Sequence, residues 1–301
     1  MKVNKGIQVV CLLLIVPLVT RASEGSSGEP RFTLKISGGA NYLEVGDYNA
    51  DQRNQNEARK AYALRKGYGF SGGYEYIHHG LDLEAEVCLY LAPRLAVVLG
   101  TDYIRAWTDP KTSRQTVDWT PYQVTSVFSM DTRINAIPIL LGLKYEILLS
   151  DKIGIFLKGC VGYYFANYSG ISREDQSGDD KGYDWYIYKE EGRSGGFGFQ
   201  GGLGFEYRVN RKLALVIEGC GRHANIDGFK VDYRDEYSYG LSRSGSGTLY
   251  YYEWQDLPTG KWYPSMTVMK DAPSDPMMRN VREAVIDLSG FALRAGIKIY
   301  L

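Results

Sequence analysis

Large apolar side chains alternate with charged or small ones along stretch after stretch of this chain. Between Phe197 and Val209, the odd positions include Phe197, Phe199, Leu203, Phe205, Tyr207 and Val209, while Gln200, Glu206 and Arg208 take even ones among glycines. A polar knot, Asn210-Arg211-Lys212, follows, and then Leu213, Leu215 and Ile217 oppose Glu218 and Arg222. Period two on both sides of a tight reversal predicts an antiparallel hairpin. A soluble sandwich uses such strands to bury an apolar face and wet a polar one. Strands of about 9–11 residues with this alternation are also the unit that crosses a bilayer when tilted.

Eight segments carry the signal, at about 31–43, 80–92, 94–106, 136–149, 152–166, 196–209, 212–225 and 288–301. Three of the connections are tight: Ala92-Pro93-Arg94, Ser150-Asp151-Lys152 and Asn210-Arg211-Lys212. Between them lie long excursions, roughly 44–79, 107–135, 167–195 and 226–287. Short turns at one end and long loops at the other predict an all-β, eight-stranded antiparallel up-and-down transmembrane β-barrel with short periplasmic turns and long extracellular loops. Closure leaves no open edge in lipid. Thr248–Trp254 also alternates, so some strands are expected to run on as protruding hairpins, and 56–66 is a candidate short helix.

Parity then assigns the charges. Lys35, Lys144, Lys158, Arg208, Arg222, Arg294 and Lys298 fall on the face opposite the apolar residues, as do Asp82, Glu84, Glu86, Asp102, Glu146, Glu206 and Glu218. A cation facing mid-bilayer costs about 2–4 kcal/mol, so these groups must point inward. An eight-stranded barrel has room inside for little beyond its own side chains. Seven cations against seven carboxylates therefore predict a filled salt-bridge network rather than a channel. Tyr42, Tyr103, Tyr145, Tyr163, Tyr164 and Tyr207 lie near strand ends, where interfacial anchors belong.

Residues 1–22 have a short basic start and an apolar run from Ile7 to Val19, the pattern of a secretory signal peptide. Residues 23–301 then form one outer-membrane barrel domain. Lysine plus arginine equals aspartate plus glutamate, 35 each, so charge favours no nucleic-acid partner. Cys88, Cys160 and Cys220 are an odd, widely spaced set and read as interior fillers rather than a disulfide framework.

INAIPILLGLKYEI and GFGFQGGLGFEYRVNRKLALVIEGCGRHANIDGF resemble strands of the bacterial outer-membrane β-barrel domain family, the small eight-stranded opacity-type and porin-like barrels. The resemblance implies a bacterial outer-membrane location, contact with outer-membrane lipid, and insertion by the barrel assembly machinery through the C-terminal strand. It implies no catalytic residue. Three function classes follow. A non-enzymatic surface barrel, whose Tyr-rich loops contact an extracellular ligand or envelope partner, is the expectation. A narrow pore or carrier for small solutes is the alternative, with Gly159, Gly162, Gly201, Gly202 and Gly204 able to thin the wall. A lipid-modifying enzyme needs a nucleophile with a positioned base, and the histidines His78, His79 and His223 read instead as solvated rim residues. No cofactor or metal site is expected.

Overall fold

The computed structural model describes residues 32–119, 124–178, 182–257 and 259–301. The signal-peptide expectation for 1–22 lies outside them. In order, the elements are β1 (Phe32–Leu43), α1 (Asp47–Lys66), β2 (Gly69–Gly73), β3 (His79–Ala92), β4 (Leu95–Trp107), β5 (Arg114–Trp119), β6 (Val124–Leu148) and β7 (Ile153–Gly178). Then come β8 (Gly182–Arg208), β9 (Leu213–His223), β10 (Asn225–Ile226), β11 (Lys230–Tyr237), β12 (Ser242–Asp256), β13 (Lys261–Met269), β14 (Met278–Glu283), β15 (Ile286–Asp287) and β16 (Gly290–Tyr300).

Eight of these strands close a ring. β1 pairs with β3, β3 with β4, β4 with β6, β6 with β7, β7 with β8, β8 with β9, β9 with β16, and β16 with β1, every pair antiparallel. Each overlaps one of the eight segments that the alternation singles out, and β6, β7 and β8 begin or end well beyond theirs. Tyr300 N–H donates to Lys212 O and Leu301 N–H to Phe32 O, each at 3.0 Å, so the short-turn end is stitched shut around the seam. Each ring strand keeps its apolar residues outward: Leu141, Leu157, Leu215 and Leu293 are all half exposed or more. On β7 that outward face runs from Ile155 to Phe165. Ten steps at about 3.3 Å and a tilt of about 35–45° make an apolar band about 23–27 Å tall.

The long excursions are more structured than loops. β6, β7 and β8 rise beyond the ring at 25, 26 and 27 residues. β5 and then β2 extend this wall beyond β6, while β11, β12 and β13 extend it beyond β8. The result is a curved palisade standing over one side of the mouth. Because the palisade strands share the ring's hydrogen-bond ladder, their direction follows from the barrel's own tilt.

The helix in the first excursion is longer than 56–66. It begins at Asp47, and its buried residues are nearly all polar: Asp47, Asn49, Asp51, Gln52 and Asn54, with Tyr48 and Ala63. No apolar stripe announces it, since its partners are backbone groups of the palisade rather than an oily core. It stops at Gly67, whose φ of 72° is left-handed; Gly67 N–H reaches Leu64 O and Tyr68 N–H reaches Ala63 O. An apolar collar of Leu43, Val45, Ile77, Phe229, Ile286 and Leu288 fills the neck between ring and helix.

Candidate functional site

Thirteen of the fourteen parity-assigned charges are buried inside the ring, and Arg208 is half-buried at the short-turn rim. Arg208 leans on the Tyr300 ring at 5.0 Å. It sits where the ring opens to water, so the inward count is six cations against seven carboxylates.

They are arranged in three levels. Nearest the short turns, Lys298 Nζ lies 2.6 Å from Glu146 and 2.9 Å from Glu206. Lys298 also donates to Tyr90 Oη at 2.9 Å, Tyr90 O–H donates to Glu146, and Tyr300 O–H to Glu206. In the middle, Lys35 and Lys158 share Glu84, Glu86 and Glu218, with N···O distances of 2.5–3.1 Å. Nearest the long excursions, Arg294 holds Asp82 at 2.8 Å, Glu84 at 2.9 Å and Asp102 at 2.9 Å, while Arg222 holds Asp82 at 3.1 Å.

In the ring order, β6 faces β16 across the diameter, β1 faces β7 and β4 faces β9. The Lys298–Glu146 pair therefore spans the ring directly. Arg222 and Asp102, 4.0 Å apart, span it too. Lys35 and Lys144 lie 5.5 and 4.1 Å from the Phe156 ring centre, which places an aromatic plug from β7 against a cation from β1. Position 204 must be glycine for this: a Cβ there would meet the Phe156 ring at 2.1 Å. Each level thus closes the lumen by direct contact between opposite strands.

Other sequence expectations divide. Tyr42, Tyr145, Tyr163 and Tyr207 are exposed on the outer wall. Tyr164 is not an anchor; it is fully buried, because the residue after outward-facing Tyr163 must point inward. Tyr103 is half-buried and donates to Asn135 Oδ1 at 3.1 Å. Gly159 and Gly201 face outward as cross-strand partners on β7 and β8, and Gly162, Gly202 and Gly204 face inward. The three described cysteines are buried and free.

The histidines lie at the upper rim. His78 stacks on Tyr42 with ring centres 5.2 Å apart. His223 Nδ1 lies 2.9 Å from Ser289 Oγ, which also accepts from Ala224 N–H at 3.2 Å. Two Gly-x-Ser-x-Gly stretches, Gly69–Gly73 and Gly192–Gly196, are motifs that the alternation obscures. Both lie within strands, not on the strand-to-helix elbow that such a nucleophile uses. Ser194 O–H is spent on Asp227 O. Among the described residues no group of three or more His, Cys, Asp or Glu is placed to hold a metal.

No family model matches the chain, and neither does any curated protein. Among solved structures it is similar to the outer membrane protease OmpT from Escherichia coli, at 10% identity and a TM-score of 0.34, over 93% of this chain and 100% of that one.

What sequence reasoning missed is the cap. Asp47 holds Arg282 through two contacts of 2.5 and 2.7 Å and accepts from Val285 N–H at 2.7 Å. Asn49 donates to Glu44 O and Ile77 O and accepts from Ile77 N–H, at 2.7–2.9 Å. Asn54 donates to Pro264 O at 2.6 Å. Arg59 reaches Gln115 Oε1 at 2.6 Å and lies 3.8 Å from the Phe128 ring centre. One polar helix is thereby tied to β5, β6, β13, β14 and the segment before β3. Its sequence signals were the candidate helix at 56–66, which falls inside α1, and the Asn and Asp density between Asp47 and Asn56.

Proposed function

We propose that this chain is a bacterial outer-membrane barrel that does not conduct, and that its work is done by the rigid cap presented outside the cell. The carrying observation is the combination of an apolar band about 23–27 Å tall outside with ion pairs crossing the full diameter inside. The outer face suits hydrocarbon, and the band height matches the roughly 25 Å of an outer-membrane barrel. The filled interior supports anchoring over transport. Palisade and helix supply what the loops of a surface-contact protein need, a rigid and tyrosine-rich surface.

On this reading the short turns face the periplasm, the barrel assembly machinery inserts the chain, and outer-membrane lipid is its solvent. The reading is non-enzymatic: Ser289 holds His223 by Nδ1, and no carboxylate is seen to orient the ring among the described residues. Alanine at His78, His79 and His223 is expected to leave the host's lipid composition unchanged by mass analysis.

Planar-bilayer recording of the refolded full chain tests the central claim. The expected result is insertion, shown by heat-modifiable gel mobility, without steady large conductance. A stable open level of porin size would overturn the plugged interior, and a chain that stays in water without detergent would overturn the membrane assignment.

A further inference from the structure

Between α1 and the inner face of the palisade lies a cavity of about 300 Å³, lined by Asp51, Gln52, Tyr168, Tyr186, Tyr188 and Glu190 among others. That size is at the lower end of small-molecule pockets, about 300–1,000 Å³. Its polar groups have one character. Asp51, 4% exposed, receives only neutral donors: Gln52 and Gln55 amides at 3.1 Å and Met266 N–H at 3.1 Å. Glu190 receives Tyr168 O–H and Tyr188 O–H. Gln52 is 1% exposed, and its Oε1 has no hydrogen-bond partner among the described residues. Reversing that amide would set its oxygen against the Asp51 carboxylate 3.1 Å away, so the orientation follows from the contact.

Two carboxylates and an orphan carbonyl oxygen thus line a cavity walled by tyrosine rings, and among the described residues neither carboxylate forms an ion pair. Several cations on the surrounding elements are engaged elsewhere, while Arg53, next to Gln52 on α1, is exposed to solvent. Arg59 is held by Tyr74, Gln115 and Phe128, Arg173 by Asp175, Lys189 by Glu236, and Arg282 by Asp47. Burial pushes the Asp51 carboxyl up to about 7 and raises the Glu190 carboxyl above its ordinary range, the hydrogen bonds from neutral donors offsetting only part of the lost hydration.

We propose that this cavity binds an organic cation, an alkylammonium or alkylguanidinium group, with Asp51, Glu190 and Gln52 Oε1 accepting its N–H donors and tyrosine rings flanking its charge. The proposal rests on the reading that the cap is the contact surface. Three oxygen acceptors equal an ammonium's three donors in number. Aromatic faces favour a soft organic cation over a hard metal ion, which takes six or more oxygens. The same chemistry comes as a free amine or as the end of a Lys or Arg side chain on a protein partner.

The test is calorimetric titration of the detergent-refolded full chain with n-butylammonium chloride, N-butylguanidinium chloride and n-butanol, and with a blocked pentapeptide holding one central Lys. Saturable binding of a cation, and none of butanol, is expected. Asp51→Asn and Glu190→Gln are each expected to weaken it by about tenfold or more, the loss of one charge-assisted contact. Gln52→Leu is expected to weaken it by a smaller factor. Circular dichroism and heat-modifiable mobility certify that each variant folds. Binding by butylammonium alone identifies a free amine as the source. Peptide binding with the same sensitivity to Asp51→Asn identifies a protein partner. No saturable binding to folded wild type, equal binding of butanol, or unchanged affinity in Asp51→Asn with Glu190→Gln overturns the proposal. Insertion and conductance are unaffected by these variants, so failure here leaves the barrel reading intact.

Discussion

Glu84 touches three cations at once, Lys35 at 2.8 Å, Lys158 at 2.5 Å and Arg294 at 2.9 Å. Removing its charge takes one partner from each of three buried cations, which keep Glu86, Glu218, Asp82 and Asp102, and Glu84→Gln is expected to cost about 3–5 kcal/mol, read by urea unfolding of the refolded protein. Lys298→Met is expected to do the same, because it would leave Glu146 and Glu206 buried with one partner fewer. Arg208→Met is the contrast. At the wet rim its loss is expected to stay within about 1 kcal/mol. Asp51 supplies the pH dependence. Its folded pKa, about 7, lies above its ordinary value of 3.8, so the stability it contributes is fully present below about pH 4 and is lost as pH rises through 7. The titratable groups facing it are Tyr48 of its own helix, Tyr74, Tyr168 and Glu190. Hydrogen exchange across 47–66, corrected for intrinsic rate, is expected to show tighter protection at pH 5 than at pH 8. Asp51→Asn is expected to flatten that difference.

The helix is the element whose existence depends least on its own composition. Isolated, it lacks an apolar stripe and would be marginal in water. Its order comes from side chains that complete the backbone of other elements. Asn49 satisfies three groups on two segments, so Asn49→Ala orphans Ile77 N–H and Ile77 O in a dry site. A loss of about 1–3 kcal/mol in cap stability is expected, seen as faster proteolysis at 44–79 with the ring unchanged. The ring strands are the opposite case. Their alternation, their turns and their register agree, and a slip of one residue would turn every charge into lipid.

For the whole molecule, the outer face decides the solvent. Leu141 and Val161 lie mid-band as partners on β6 and β7, and Val209 lies at the short-turn rim. Val161→Arg is expected to cost about 2–4 kcal/mol in refolding into lipid vesicles and Val209→Arg about 0–1 kcal/mol. Equal penalties at both positions would contradict a bilayer at that height.

Period two is a local property, and from it the chain alone determined the eight ring strands, their short turns, and which side chains face in. A strand cannot hide its parity, because consecutive residues must point to opposite faces. Even the miscounted residues obey it: Tyr164 is inward because Tyr163 is outward, and Arg208 is on the inner face but at its wet end. Only the tertiary structure decided who pairs with whom across the lumen, since Lys298 and Glu146 meet through ring closure and not through any spacing in the sequence. The same holds for the cap. A polar helix packed on polar backbone has no periodic signature, and the Asp51–Glu190 cavity joins residues that come together only when the palisade folds over the mouth.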